Sequence, residues 1–224
     1  MRLHVAALFT FDKTERLEAV NDSGGAPAPR FFLGRTAEGD QCWFRHDVPD
    51  ETVADIQAIL RDQATTPGQV TAIDPTPFIE RLSRDGRVLR TWMGPAFTFP
   101  ENVPDAPHTV LVTAENADLL APYLENWRSD VAGGAPMAVA LDNGQAVSIC
   151  ASARVTARAH EAGVETHPDF RRRGHAGRAV MAWARAVRSL GVVPLYSTSW
   201  DNAASLGLAK SLGLIPFGVD LHIL

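Results

Sequence analysis

The stretch Thr166-His167-Pro168-Asp169-Phe170-Arg171-Arg172-Arg173-Gly174-His175-Ala176-Gly177 decides the reading of this chain. Ala159 to Thr166 reads as a strand that Pro168 ends. Beyond Gly174, Val180, Trp183, Ala184 and Val187 recur at i, i+3, i+4 and i+7, the spacing of one helix face. A strand, a Gly/Arg turn and a helix start thus follow one another. The first turn of a helix leaves about four N–H groups without intrahelical partners, and the macrodipole adds roughly half a positive charge there. Gly174, Ala176 and Gly177 lack bulk, so backbone amides can approach a ligand closely. Arg171, Arg172 and Arg173 can add charge-assisted contacts. The combination predicts a phosphate-bearing anion at this helix start; its plain alternative is a solvated basic turn.

Downstream, Val192 to Ser199 predicts a strand. Asn202 to Leu212 predicts a helix with Ser205, Leu208, Ala209 and Leu212 on one stripe, closed by Gly213. Leu214 to Leu224 supplies one or two last strands. Upstream, Met137–Leu141 and Gln145–Ala157 form a hairpin around Asp142-Asn143-Gly144. His108–Thr113 reads as a strand, with Thr113 capping a helix whose stripe is Leu120, Tyr123, Leu124 and Trp127.

Three prolines between Pro100 and Pro107 mark a boundary, giving units 1–103 and 104–224. The first reads as a small α/β unit without legible chemistry. It has two strands within Phe31–Phe44 and a helix through Val53, Ile56, Ile59 and Leu60. A break follows near Pro67-Gly68, then a short helix after Pro77 and a strand near Val88–Met93.

Composition narrows the classes. The 224 residues are 46% hydrophobic and 21% charged, near the soluble globular average. A net charge of −5 argues against nucleic-acid or anionic-membrane partners, although six arginines cluster between Arg171 and Arg188. Cys42 and Cys150 offer neither metal spacing nor a disulfide framework, so a reducing compartment is expected. No run approaches the ~20 apolar residues of a spanning helix. The apolar run Val5–Phe11 has no cleavage site after it, so cytoplasmic residence is expected. His160, His167 and His175 occupy strand, turn and helix without convergent geometry, and no metal site is expected.

Arg171-Arg172-Arg173-Gly174-His175-Ala176 resembles the R/Q-x-x-G-x-G/A motif of the GNAT superfamily of N-acetyltransferases. Thr166-His167-Pro168 resembles the V-x-P element that precedes it, with Thr in place of a branched apolar residue. Asn202-Ala203-Ala204-Ser205 resembles N-x-x-A/S, and Lys210-Ser211-Leu212-Gly213-Leu214 the K-x-x-G-F ending. Three motifs in the family's order, over roughly His108 to Leu224, imply an α+β fold: a central mixed sheet with flanking helices, beside the smaller N-terminal unit.

The resemblance also implies an acetyl-coenzyme A site. Amides from Arg172 through Gly177 would hold the pyrophosphate. The strand ending at Thr166 would splay from the one beginning at Val192. Backbone at Val164 and Thr166 would pair with the pantetheine arm, and Asn202 and Ser205 would lie near the pantetheine and thiol. The implied activity is direct acetyl transfer to an amine of an unidentified acceptor, the N-terminal unit shaping the acceptor pocket or dimerising.

An amine with pKa near 10 must lose a proton before it attacks. On the strand, His160, Ala162, Val164 and Thr166 share one face and Glu161, Gly163 and Glu165 the other. Glu161, His160 and Glu165, in that order, are the candidate bases. The tyrosine that protonates the departing thiolate in the family falls at Ala209, with Tyr196 and Ser205 as substitutes. That departure leaves a rival reading: a coenzyme A-binding sensor or partner-binding module without catalysis.

Overall fold

The structure, a computed structural model, describes residues 1–63, 68 and 72–224. In chain order the elements are α1 (Arg2–Leu8), β1 (Phe9–Phe11), β2 (Leu17–Val20), β3 (Phe31–Thr36), β4 (Gly39–Phe44), α2 (Asp50–Asp62), α3 (Thr76–Ser83) and β5 (Thr91–Thr98). They continue with β6 (Thr109–Leu111), β7 (Met137–Asp142), β8 (Gln145–Val155), β9 (Ala159–Thr166), α4 (His175–Ser189), β10 (Val193–Ser197), α5 (Ala203–Ser211) and β11 (Ile215–Ile223). The fold is mixed α+β. Of the break expected near Pro67-Gly68, Pro67 lies outside the described residues; Gly68 has φ of 88°.

Two compact units share these elements: residues 1–97, 197–203 and 216–224 form one, and residues 98–196 and 204–215 the other. In the first, the strand order is β4-β3-β11-β5. β11 pairs antiparallel with β3 from Phe31↔Ile223 to Thr36↔Gly218. One apolar cluster gathers Phe31, Leu33, Ile56, Phe78, Leu82, Leu221 and Ile223; another gathers Val5, Phe9, Leu17 and Phe32. Gly94 of β5 passes so near the 197–203 connection that a Cβ there would lie 1.8 Å from the Thr198 carbonyl oxygen. Only glycine fits that approach.

In the second unit the order is β10-β9-β8-β7-β6. β6 to β9 are antiparallel and β10 runs parallel to β9, so this sheet is mixed. The helix α4 buries Ala179, Val180, Trp183, Ala184 and Val187, the apolar stripe of its sequence. Trp183 is fully buried, and its Nε1 donates to Ser152 Oγ at 3.0 Å.

The helix expected after Thr113 is not α-helical. Residues Ala117–Leu120 and Glu125–Gly133 form two 3-10 segments interrupted at Pro122. A mid-segment proline has no N–H to donate and crowds the preceding turn. Thr113 does not cap; its N–H donates to Asn116 Oδ1 instead. The stripe itself packs as its pattern implies, with Leu120 and Leu124 buried and Tyr123 and Trp127 against the same cluster.

Candidate functional site

β9 and β10 pair at Val193↔Ala159, Pro194↔His160 and Leu195↔Glu161, and pairing stops there. From Ala162 to Thr166, β9 keeps its partner β8 and loses β10. An open edge therefore leads from Glu161 to the turn before α4. Glu161 is buried at the last paired position, with Arg154 of β8 as its cross-strand partner. A bulge at Ala153 separates the Ser152↔Ala162 and Arg154↔Glu161 pairs.

The two faces of β9 meet different neighbours. On one, His160 Nδ1 is 2.9 Å from Ser152 Oγ, and that oxygen accepts from Trp183 Nε1 of α4. Burial lowers the His160 pKa, partly offset by a hydrogen bond with the Thr156 backbone, which favours the neutral ring. Thr166 Oγ1 and Ser148 Oγ lie 2.7 Å apart. On the other face, Glu165 Oε2 accepts from Trp127 Nε1 at 2.6 Å and Asn126 Nδ2 at 3.0 Å. A Cβ on Gly163 would lie 3.3 Å from the Trp127 ring, so Trp127 lies over this face.

Past Pro168 the chain makes a turn whose amides stay unspent. The Phe170 N–H donates to His167 and the Arg171 N–H to Pro168. The next protein-bound amide is that of Arg178, which donates to the Gly174 carbonyl at 3.2 Å and opens α4. Among the described residues, the N–H groups of Arg172, Arg173, Gly174, His175, Ala176 and Gly177 have no backbone partner. Arg172 (φ 61°) and Gly174 (φ 80°) are left-handed, the local geometry that builds anion-binding concavities from successive amides. A Cβ at Gly174 would meet nothing within 4 Å, so the space over these amides is open.

The side chains of the turn have separate duties. Arg171, Arg172 and Arg173 are exposed. The Arg171 Nε donates to the Thr166 carbonyl at 3.2 Å, and Arg173 lies over the Phe170 ring. Tyr123, His167 and Phe170 pack together under the turn, Tyr123 to His167 at 4.5 Å. The His175 ring is buried inward, Nδ1 2.5 Å from Arg178. Burial first, then the Arg178 charge, lowers its pKa, so it accepts that hydrogen bond as a neutral ring. His175 therefore presents its amide, not its ring, to the open side. At Gly177 a Cβ would lie 3.1 Å from Leu212 Cδ2. The small size of this glycine lets α5 close on α4.

Tyr196 follows the last paired residue of β10. It is buried, and its hydroxyl lies 2.6 Å from Ser205 Oγ on α5. Ala209, one turn further along α5, is buried and carries no proton donor. Asn202, at the end of the 197–203 connection, is exposed and its N–H donates to the Ser199 carbonyl. The sequence reading could not see the Tyr196–Ser205 contact, because it depends on how the turn between β10 and α5 folds back.

The GNAT acetyltransferase family model matches residues 123–216, which run through the site just described. The matched segment, under half of the chain, is similar to GNAT-superfamily acetyltransferase domains. Among solved structures, the chain is similar to a protein assigned to the GNAT family of acetyltransferases from Novosphingobium aromaticivorans, at 20% identity and TM-score 0.50. The match covers 61% of this chain and 65% of that one, just under two thirds of its length. It is also similar to a GNAT-family acetyltransferase from Colwellia psychrerythraea, at 10% identity and TM-score 0.50, covering 83% of this chain and 80% of that one. At such identities the likeness is one of fold. No curated protein matches the sequence.

Proposed function

We propose that the second unit binds acetyl-coenzyme A and transfers its acetyl group directly to an amine. The carrying observation is the run of unspent amides from Arg172 to Gly177, beside three arginines, where β9 loses its parallel partner. A diphosphate supplies the acceptors those donors lack. The open backbone edge at Val164 and Thr166 would pair with the amide-bearing arm of the donor, directing the thioester toward Glu161. Ser205 would flank the arm from the α5 side.

Glu161 is the assigned base: it is buried where the strands part, so a carboxylate there takes the ammonium proton out of bulk water. Glu165, held by Trp127 and Asn126, would attract the cationic acceptor. His160 is committed to Ser152 and serves packing more readily than proton transfer. Transfer without a cysteine adduct fits both thiols: burial drives the Cys150 pKa well up, and burial together with the Asp40 charge pushes Cys42 up to about 11.

The test is calorimetric titration of the full chain with acetyl-coenzyme A, followed by thiol release against an amine panel. Saturable binding with thiol release only when an amine is present is the expected result. Absence of binding would overturn the reading, and binding without turnover on every amine would leave the non-catalytic coenzyme A module.

A further inference from the structure

Asp142 ends β7 where the hairpin turns back into β8, and its carboxylate faces the amide turn. Its Oδ2 lies 3.7 Å from the Arg173 guanidinium and 4.0 Å from His175 Nε2. Both distances exceed hydrogen-bond range, so one oxygen faces two partners and closes on neither. The His175 side chain is 5% exposed, and its Nε2 is buried without a hydrogen-bond partner. Because Nδ1 accepts from Arg178 at 2.5 Å, the proton of the neutral ring stands on Nε2. A buried donor therefore stands just short of a carboxylate that Arg173 shares. Buried donors are normally paired. Arg173 itself is exposed, held by that long ion pair and by the Phe170 ring at 5.5 Å, beside the open amides.

Resting on the coenzyme A reading, we propose that Asp142 and His175 are positioning residues that couple anion binding at the turn to uptake of a proton. The diphosphate draws Arg173 off Asp142, and the freed carboxylate hydrogen-bonds His175 Nε2–H. The ring then takes one proton from solvent at Nδ1 as Arg178 gives up that nitrogen, and no covalent bond of the ligand changes. The charges acting on the ring are Arg178 of α4, Asp142 of β7 and Arg173 of the turn. Phe170, edge-on at 6.3 Å, carries none. In the free protein, burial and then Arg178 hold the ring below its ordinary pKa, with Asp142 opposing and Arg173 adding to them. Binding reverses the balance: Arg173 leaves, the diphosphate brings negative charge and Asp142 closes in, and each change favours the protonated ring. A group that holds its proton more tightly in the complex strengthens binding as pH falls. The grip on the diphosphate therefore tightens toward about pH 6, where imidazoles titrate.

The probe is dephospho-coenzyme A, which keeps the diphosphate and lacks the phosphomonoester that would itself titrate near about pH 6. Calorimetry of the full chain in two buffers of different ionisation enthalpy counts the protons. The expected results are uptake of about half a proton at about pH 6 and affinity about threefold tighter there than at about pH 7.5. His175→Gln should abolish both, and Asp142→Asn should reduce both. A measurement on the unmodified chain is the NMR titration of the His175 ring, which should move to higher pH when dephospho-coenzyme A is bound.

A role in packing alone would lower the stability of the variants and leave the proton count untouched. Binding heats that do not depend on the buffer, uptake that persists in His175→Gln, or a ring that titrates alike with and without ligand would overturn the coupling. Each of these would leave coenzyme A binding standing. No binding of dephospho-coenzyme A or acetyl-coenzyme A would overturn the coupling and the cradle together.

Discussion

Two polar clusters in this chain use similar residue types to opposite ends. In the first unit, Asp220 is fully buried and Oδ2 lies 3.0 Å from both His4 Nε2 and His222 Nε2. His222 in turn stacks on Trp92 at 4.6 Å. In the second unit, the Arg171–Gly177 turn is exposed and its amides from Arg172 onward are unspent. The first cluster spends its hydrogen bonds holding α1 to β11; the second holds its donors ready for something outside the chain. Charge and histidine content do not separate the two, but the fate of the donors does. Buried polar groups are normally paired, and the exposed row of open amides at the start of α4 is the feature on which the proposed binding rests.

The contrast breaks most sharply at Asp220. Asp220→Ala should cost about 3–5 kcal/mol of stability, the usual result of removing one partner from a buried charged pair. Denaturant unfolding measures it, and acetyl-coenzyme A affinity of the folded protein should hold. Burial alone would raise the Asp220 carboxyl, but the His4 charge and hydrogen bonds from His222 and His4 bring it down to about 2. A depressed carboxylate stabilises the fold above its unfolded pKa and loses that contribution as pH falls through the folded one. Acid unfolding should therefore steepen between about pH 4 and pH 2, and Asp220→Asn should flatten that limb.

Gly174→Val comes next. A branched residue at φ 80° is strained, and its side chain would fill the open space over the amides. Calorimetry should show affinity for acetyl-coenzyme A falling about a hundredfold, or about 2.7 kcal/mol. Unchanged affinity would sink the cradle. Gly94→Ala, in the first unit, should cost about 1–3 kcal/mol because the backbone must move off Thr198, read as a lowered melting temperature with binding preserved. Gly177→Ala should do least, about 1 kcal/mol or below as Leu212 gives way. Its coenzyme A affinity should stay within a few-fold, since the amide remains.

Much of the second unit was legible because its signals are local. Pro168 ends β9, the i, i+3, i+4, i+7 stripe sets α4, and Asn143-Gly144 turns β7 into β8. At Gly174 the space beside the backbone is open, whereas a Cβ at Gly177 would meet Leu212, and only tertiary packing reveals that. At Leu120–Trp127 the apolar positions were right and the conformation wrong, because Pro122 interrupts a pattern whose periodicity looks helical. The first unit yielded less: α1, β1 and β2 are short, and no periodicity long enough to read marks them. The Tyr196–Ser205 pair joins two elements through a reversal that no spacing encodes.

The register of β11 has a consequence for biosynthesis. Thr36 cannot find its pairing residue, Gly218, until the chain through β11 has left the ribosome. Until then β3 offers a naked strand edge, paired on the β4 side alone, and such edges invite neighbouring chains. Completion of the first unit is thereby tied to the synthesis of β11, and the slowest contacts to form are those of highest sequence separation. Cells making this protein rapidly would meet that exposed edge as a window for aggregation, closed only when β11 slots home.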